Sequence, residues 1–152
     1  MKDSVRLYQQ LHTFQKNEIT EYHIYTKLAR ACKDAGNSRV LSRIAEDERR
    51  HYDILRTYTD RDARPDMLRG WFYYWLCRIA GVTFGIKLME SGESSAQENY
   101  TGITQQIPEA GDIVKEENDH EEALIALIDE ERLRYTGSMI LGLNDALVEL
   151  TG

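Results

Sequence analysis

The sequence predicts an all-α fold: a four-helix bundle with a long crossover between helices two and three, a short extra aromatic helix and a C-terminal tail. Three observations predict it. Apolar residues recur at helical spacing through four long segments, only two prolines interrupt the chain, and punctuation such as Gly36-Asn37, Arg64-Pro65 and Pro108 falls between the segments. A large sheet would need more turn residues than this. At 152 residues, 41% of them hydrophobic, the chain has the length of one domain and enough apolar side chains to bury a core.

The first segment runs from about Asp3 to Lys33. It carries Leu7, Leu11, Phe14, Tyr25 and Leu28 on one face and stops at Gly36-Asn37. Ser38 is placed to cap the second, from about Arg39 to Asp60, whose core face holds Leu41, Ile44, Leu55 and Tyr58. Between Met67 and Ala80, Leu68, Trp71, Phe72, Trp75, Leu76 and Ile79 form a wide stripe, read as core or dimer interface ahead of membrane contact. A third main helix, from about Val82 to Ile107, carries Val82, Ile86, Met89, Ala96, Tyr100, Ile103 and Ile107, and Pro108 closes it. The fourth runs from about Glu109 to Tyr135 with Ile113, Leu124, Leu127 and Ile128 inward, and Gly137 is expected to break it.

Composition excludes several functions. A net charge of −7 argues against a nucleic-acid partner, and the arginines gathered between Arg39 and Arg78 read as a solvated helix face. Cys32 and Cys77 stand far apart with no C-x-x-C, so neither a zinc ribbon, a rubredoxin-type iron centre nor a disulfide framework is expected. Met1 to Gln10 is polar, which argues against a signal peptide, and no run reaches the ~18 apolar residues of a membrane span, so the chain as given is expected to be soluble. Acid concentrates late: ten Asp or Glu lie between Glu109 and Glu131 against the single Lys115. Glu116, Asp119, Glu121 and Glu122 there are either simply solvated or feed cations inward.

Each apolar stripe has a hole, and acids and histidines fill the holes. Glu48 and His51 occupy the series 44, 48, 51, 55, 58 on the second helix, and Glu117 and His120 the series 113, 117, 120, 124, 127 on the fourth. Two of the four histidines thus carry a glutamate three positions earlier. Glu18 and Glu93 take core-facing positions on the first and third helices, each seven residues before a tyrosine, Tyr25 and Tyr100, so the chain reads as an internal duplication. A carboxylate alone in a bundle core costs several kcal/mol, so these groups need cations. The bland readings are salt bridges to arginine for the Glu-x-x-His pairs and exposed helix-edge acids for Glu18 and Glu93. The sharper reading is two metal ions held by Glu18, Glu48, His51, Glu93, Glu117 and His120. Hard carboxylate oxygens can bridge two ions, each imidazole adds one neutral nitrogen, and four negative charges balance two divalent cations. The metal expected is iron, with manganese as the alternative, because open positions between two oxidisable ions let oxygen or peroxide react. Tyr25 and Tyr100 could donate hydrogen bonds to the carboxylates. His12 and His23 lie off the series and read as surface or packing residues.

At Glu18-x6-Tyr25, Glu48-x-x-His51, Glu93-x6-Tyr100 and Glu117-x-x-His120 the sequence resembles the rubrerythrin branch of the ferritin-like superfamily over roughly residues 10–135. The resemblance implies Glu18 and Glu93 as terminal ligands, Glu48 and Glu117 as bridging ones, and one histidine per iron. It also admits an additional carboxylate, Glu90 or Glu21. The rubredoxin cysteines of that branch are missing here. Instead Ser138 to Gly152, with Gly142-Leu143-Asn144-Asp145 and Glu149-Leu150-Thr151-Gly152, is similar to the start of the first membrane helix of the vacuolar iron transporter family, some members of which carry a rubrerythrin-like domain in front as membrane-bound ferritins. Residues 1–136 would then be the di-iron domain and residues 137–152 the start of a truncated membrane-transport domain. Three functions follow from that resemblance. The first is a cytoplasmic, ferroxidase-type domain that oxidises ferrous iron with oxygen or peroxide for a membrane iron transporter. The second is a peroxide reductase with a separate electron donor, and the third a non-catalytic iron sensor or dimerisation module. A homodimer formed through the aromatic segment is expected for all three.

Overall fold

The computed structural model describes the backbone of residues 2–80 and 107–151, and the side chains of residues 6–79, 107–127 and 136–139. Among the described residues all regular structure is α-helical: α1 (Lys2–Ala31), α2 (Ala35–Thr59), α3 (Met67–Ala80) and α4 (Ala110–Thr151). The expected all-α class holds. The expected third bundle helix, with Glu90, Glu93 and Tyr100, falls outside the described residues.

The helix boundaries correct the sequence reading in two places. Asp34, not Ser38, caps α2: its carboxylate accepts hydrogen bonds from the backbone N–H groups of Gly36 and Asn37 at 2.9 and 3.0 Å, which draws that pair into the first turn instead of leaving it as a stop. Ser38 turns its hydroxyl to the Ala29 carbonyl at 2.8 Å and ties α2 back to α1. Secondly, Gly137 does not break the last helix, which continues to Thr151. Glycine costs a helix interior only about 1 kcal/mol relative to alanine, which the long flanking runs outweigh. At the far end of α2, Asp60 adopts a left-handed conformation (φ 50°) and its N–H closes on the Arg56 carbonyl.

α1 packs along α2 and against α3, and α2 also meets α4. Asp66 seats α3: its N–H donates to the Thr20 hydroxyl at 2.8 Å, its carboxylate accepts from the Arg69 N–H, and Lys16 pairs with it at 3.2 Å. The core divides into two main apolar layers. One gathers Ile24, Tyr25, Leu28, Leu41, Ile44, Leu124 and Leu127; the other gathers Leu11, Phe14, Leu55, Ile107 and Ile113. Each fully buried Leu or Ile contributes about 1.5–3 kcal/mol. Along α1, α2 and α4 alike, Glu18, Glu48 with His51, and Glu117 with His120 fall between the two layers in sequence.

Tyr58, expected in the core, and the α3 stripe, expected in the core or in a dimer interface, both lie outside the core of the chain. Tyr58 is exposed, and its hydroxyl donates to Glu109 at the start of α4. The aromatic stripe of α3 is not core either, since Trp71, Phe72 and Trp75 are exposed and it is Cys77, on the opposite face, that is buried.

Candidate metal centre

Helical spacing aims Glu18, Glu48, His51, Glu117 and His120 inward, and all five reach the layer between the apolar clusters. Glu18, Glu48, His51 and His120 are buried and Glu117 is nearly so. One ligand atom from each of Glu18, Glu48, His51 and Glu117 lies within 4.8 Å of the other three. His51 Nδ1 stands 3.1 Å from Glu117 Oε1, 3.4 Å from Glu18 Oε2 and 3.9 Å from Glu48 Oε2. His120 joins from the other side, with Nδ1 3.4 Å from Glu48 Oε1 and its ring 5.9 Å from that of His51. Glu48 therefore lies between the two imidazoles.

The outer nitrogens of both rings are held by carboxylates the sequence reading did not place there. His51 Nε2 is 2.7 Å from Glu116, and His120 Nε2 is 3.1 Å from Asp47. Each acid directly precedes the inward glutamate of one helix and grips the histidine of the other, so Asp47-Glu48-x-x-His51 and Glu116-Glu117-x-x-His120 interlock. Arg50 joins the two grips, contacting Asp47 at 2.9 Å and Glu116 at 2.6 Å. With Nε2 of each ring turned to a rim carboxylate, Nδ1 of each ring points at the inward glutamates, and a ring that gave up its Nδ1 proton would present that nitrogen to a cation, the usual way a ligating histidine is oriented. The acid before each Glu-x-x-His was the available signal, but it sits off the core stripe: Glu116 reads as solvated or as feeding cations inward, and Asp47 does not stand out.

The electrostatics show a layer short of positive charge. Burial raises Glu48 well above the ordinary glutamate value, Glu117 and Glu18 add to it by repulsion, and Glu48 shares a hydrogen bond with Glu18. Burial likewise raises Glu117 despite the His51 contact. Burial opposes charge on His51, but Glu117 and Glu18 outweigh it and carry the ring up to about 10. At the rim, burial of Asp47 and Glu116 is outweighed by Arg50 and the histidines, and both stay low.

These residues fit a bound cation. Among the described residues neither Glu48 nor Glu117 has a lysine or arginine within ion-pairing distance. Buried Glu48 Oε2 and His120 Nδ1 make no hydrogen bond, and buried His51 Nδ1 and Glu117 Oε1 face each other at 3.1 Å. The arginine pairing considered for the Glu-x-x-His glutamates is instead found at the rim, on Asp47 and Glu116. Glu21 is buried near the cluster, with Arg69 3.6 Å from its Oε1. Glu90 and Glu93 lie outside the described residues. Tyr25 packs in the first apolar layer. His12 stacks on Tyr8 and His23 tilts against Tyr22, both away from the cluster.

Comparison with protein-family models, with curated proteins and with solved structures finds no match to this chain.

Proposed function

We propose that the chain is a ferritin-like domain, related to the rubrerythrins, that binds ferrous iron between its helices and oxidises it. The observation that carries this reading is the buried group of Glu18, Glu48, Glu117 and His51, four donors from three helices within 4.8 Å, with His51 Nδ1 turned inward by Glu116. In this reading Glu93, which lies outside the described residues, would complete the set. Iron here is substrate: oxidation of two ferrous ions supplies two electrons, enough with two protons to reduce oxygen to peroxide or peroxide to water.

The chain's own residues set the conditions. Burial and mutual repulsion favour the protonated forms of Glu48 and Glu117 in the metal-free layer, and an entering cation favours the ionised forms, so binding would be coupled to proton loss. Asp47 and Glu116 fix the rings and Arg50 fixes the acids, so the donors need little reorganisation. The apolar layers on either side keep bulk water from the donors. In the intact protein the domain would hand iron to a membrane transporter, a reading that rests on the similarity of residues 138–152 to a transporter's first helix.

Anaerobic ferrous titration followed by exposure to air tests the proposal, comparing the wild-type chain with Glu48→Ala/Glu117→Ala. The expected outcome is about two irons per chain in the wild type, oxidised faster than in buffer, and none in the variant. A wild-type chain that takes up no stoichiometric iron would refute it.

A further inference from the structure

α3 inverts the usual order of a surface helix. Met67, Leu68, Trp71, Phe72, Trp75 and Ile79 form one continuous exposed stripe, with Leu68 83% and Ile79 81% accessible. The opposite side, Gly70, Tyr73, Tyr74 and Cys77, faces α1, where a side chain at Gly70 would already touch Ile24. Isolated exposed apolar residues need no explanation, but six on one helix do.

The charges around the stripe indicate what covers it. From Met67 to Ala80 α3 contains no acid, although the whole chain carries −7. Arg78 flanks the stripe on α3. Lys27 and Arg30, exposed on α1, border a cleft of about 490 Å³ that they line together with Trp71, Tyr74 and Trp75. A two-fold pairing of copies through this stripe would bring Lys27, Arg30 and Arg78 toward the same cations of the other copy. An anionic bilayer reverses that sign: tryptophan and tyrosine settle at headgroup depth, aliphatic side chains enter the acyl boundary, and lysine and arginine meet the phosphates. At 14 residues α3 is about 21 Å long, short of the ~30 Å hydrocarbon core, and among the described residues no helix is long and apolar enough to cross a membrane.

We propose that the exposed face of α3, with Lys27 and Arg30 beside it, is a docking surface for an anionic lipid bilayer, on which the helix lies in the plane of the headgroups. The surface is separate from the metal layer and does not depend on metal being bound.

The test uses the full chain with vesicles of equal parts phosphatidylglycerol and phosphatidylcholine, and with phosphatidylcholine alone. Both tryptophans of the chain lie on this face, so their emission reports contact directly. The expected result is co-sedimentation and a blue shift with the anionic vesicles only, weakened by salt. Lys27→Gln/Arg30→Gln should weaken partitioning by roughly fivefold per charge, and Trp71→Ser/Trp75→Ser should abolish co-sedimentation with helical circular dichroism unchanged. Unshifted emission and no co-sedimentation would overturn the proposal, as would binding indifferent to headgroup charge. A concentration-dependent dimer that Trp71→Ser disrupts, without vesicle binding, would assign the face to a second copy.

Discussion

The layer between α1, α2 and α4 and the outer face of α3 break the same rule in opposite directions. The first buries Glu18, Glu48 and His51 almost completely, and the second leaves Trp71 62% and Trp75 45% accessible. Charge belongs in water and large apolar surface does not, so each arrangement carries a free-energy cost that a bound companion would reduce. For the buried layer the proposed companion is small and positive; for α3 it is broad and apolar with negative charge at its edge. The contrast teaches that the kind of misplacement identifies the kind of ligand.

The pH dependence of the metal-free chain should sharpen this contrast most. Glu48 and Glu117 keep their protons to higher pH folded than unfolded, so their contribution is complete below the ordinary value of 4.5 and is lost as pH rises through their folded values. His51, raised from 6.5 to about 10, contributes fully below 6.5 and loses that contribution as pH approaches 10. Asp47 and Glu116 have the opposite sign, stabilising above 3.8 and 4.5 respectively and failing on acidification. Urea unfolding in the presence of a chelator should therefore give greatest stability near about pH 5 and a decline toward alkaline pH. Stability that instead rises steadily from acid to neutral pH would mean that cationic side chains already neutralise the layer.

A smaller effect is expected from the groups that aim the imidazoles. Asp47→Asn and Glu116→Gln should each weaken ferrous affinity by about 10- to 100-fold in anaerobic calorimetry while leaving the number of sites unchanged. Unchanged affinity in both variants would make the rim contacts structural only. The smallest effect should be on the folding stability of Trp71→Ser/Trp75→Ser, within about 1 kcal/mol of wild type in the absence of lipid, because both replaced rings lie outside the core. A loss of several kcal/mol would show that α3 packs face-inward in solution.

Much of the buried layer is legible in the sequence. A stripe such as Leu41, Ile44, Leu55 commits a face to the core, and Glu48 and His51 in its gap must then be inward whatever the packing partner. The role of Asp47 and Glu116 was not legible, because each lies one residue off the stripe and acts on a histidine of another helix, a relation that spacing within one helix cannot encode. Ser38 was a reasonable cap by residue type, yet Asp34 took the position because its carboxylate reaches two free N–H groups at once. Gly137 reads as a stop from its identity alone, and the continuous helix through it shows how weak a single glycine is against long flanking runs.

By itself the sequence determined the helical class, the span of the aromatic helix and the inward direction of Glu18, Glu48, His51, Glu117 and His120, because periodicity fixes direction within a helix. Only the tertiary structure decided that Glu18, Glu48, His51 and Glu117 converge within 4.8 Å, that Arg50 binds the two acids holding the rings, and that the α3 stripe faces outward. Direction is a property of one helix, whereas convergence and exposure depend on how helices are placed against one another, and that placement is set by the packing of the apolar layers as a whole.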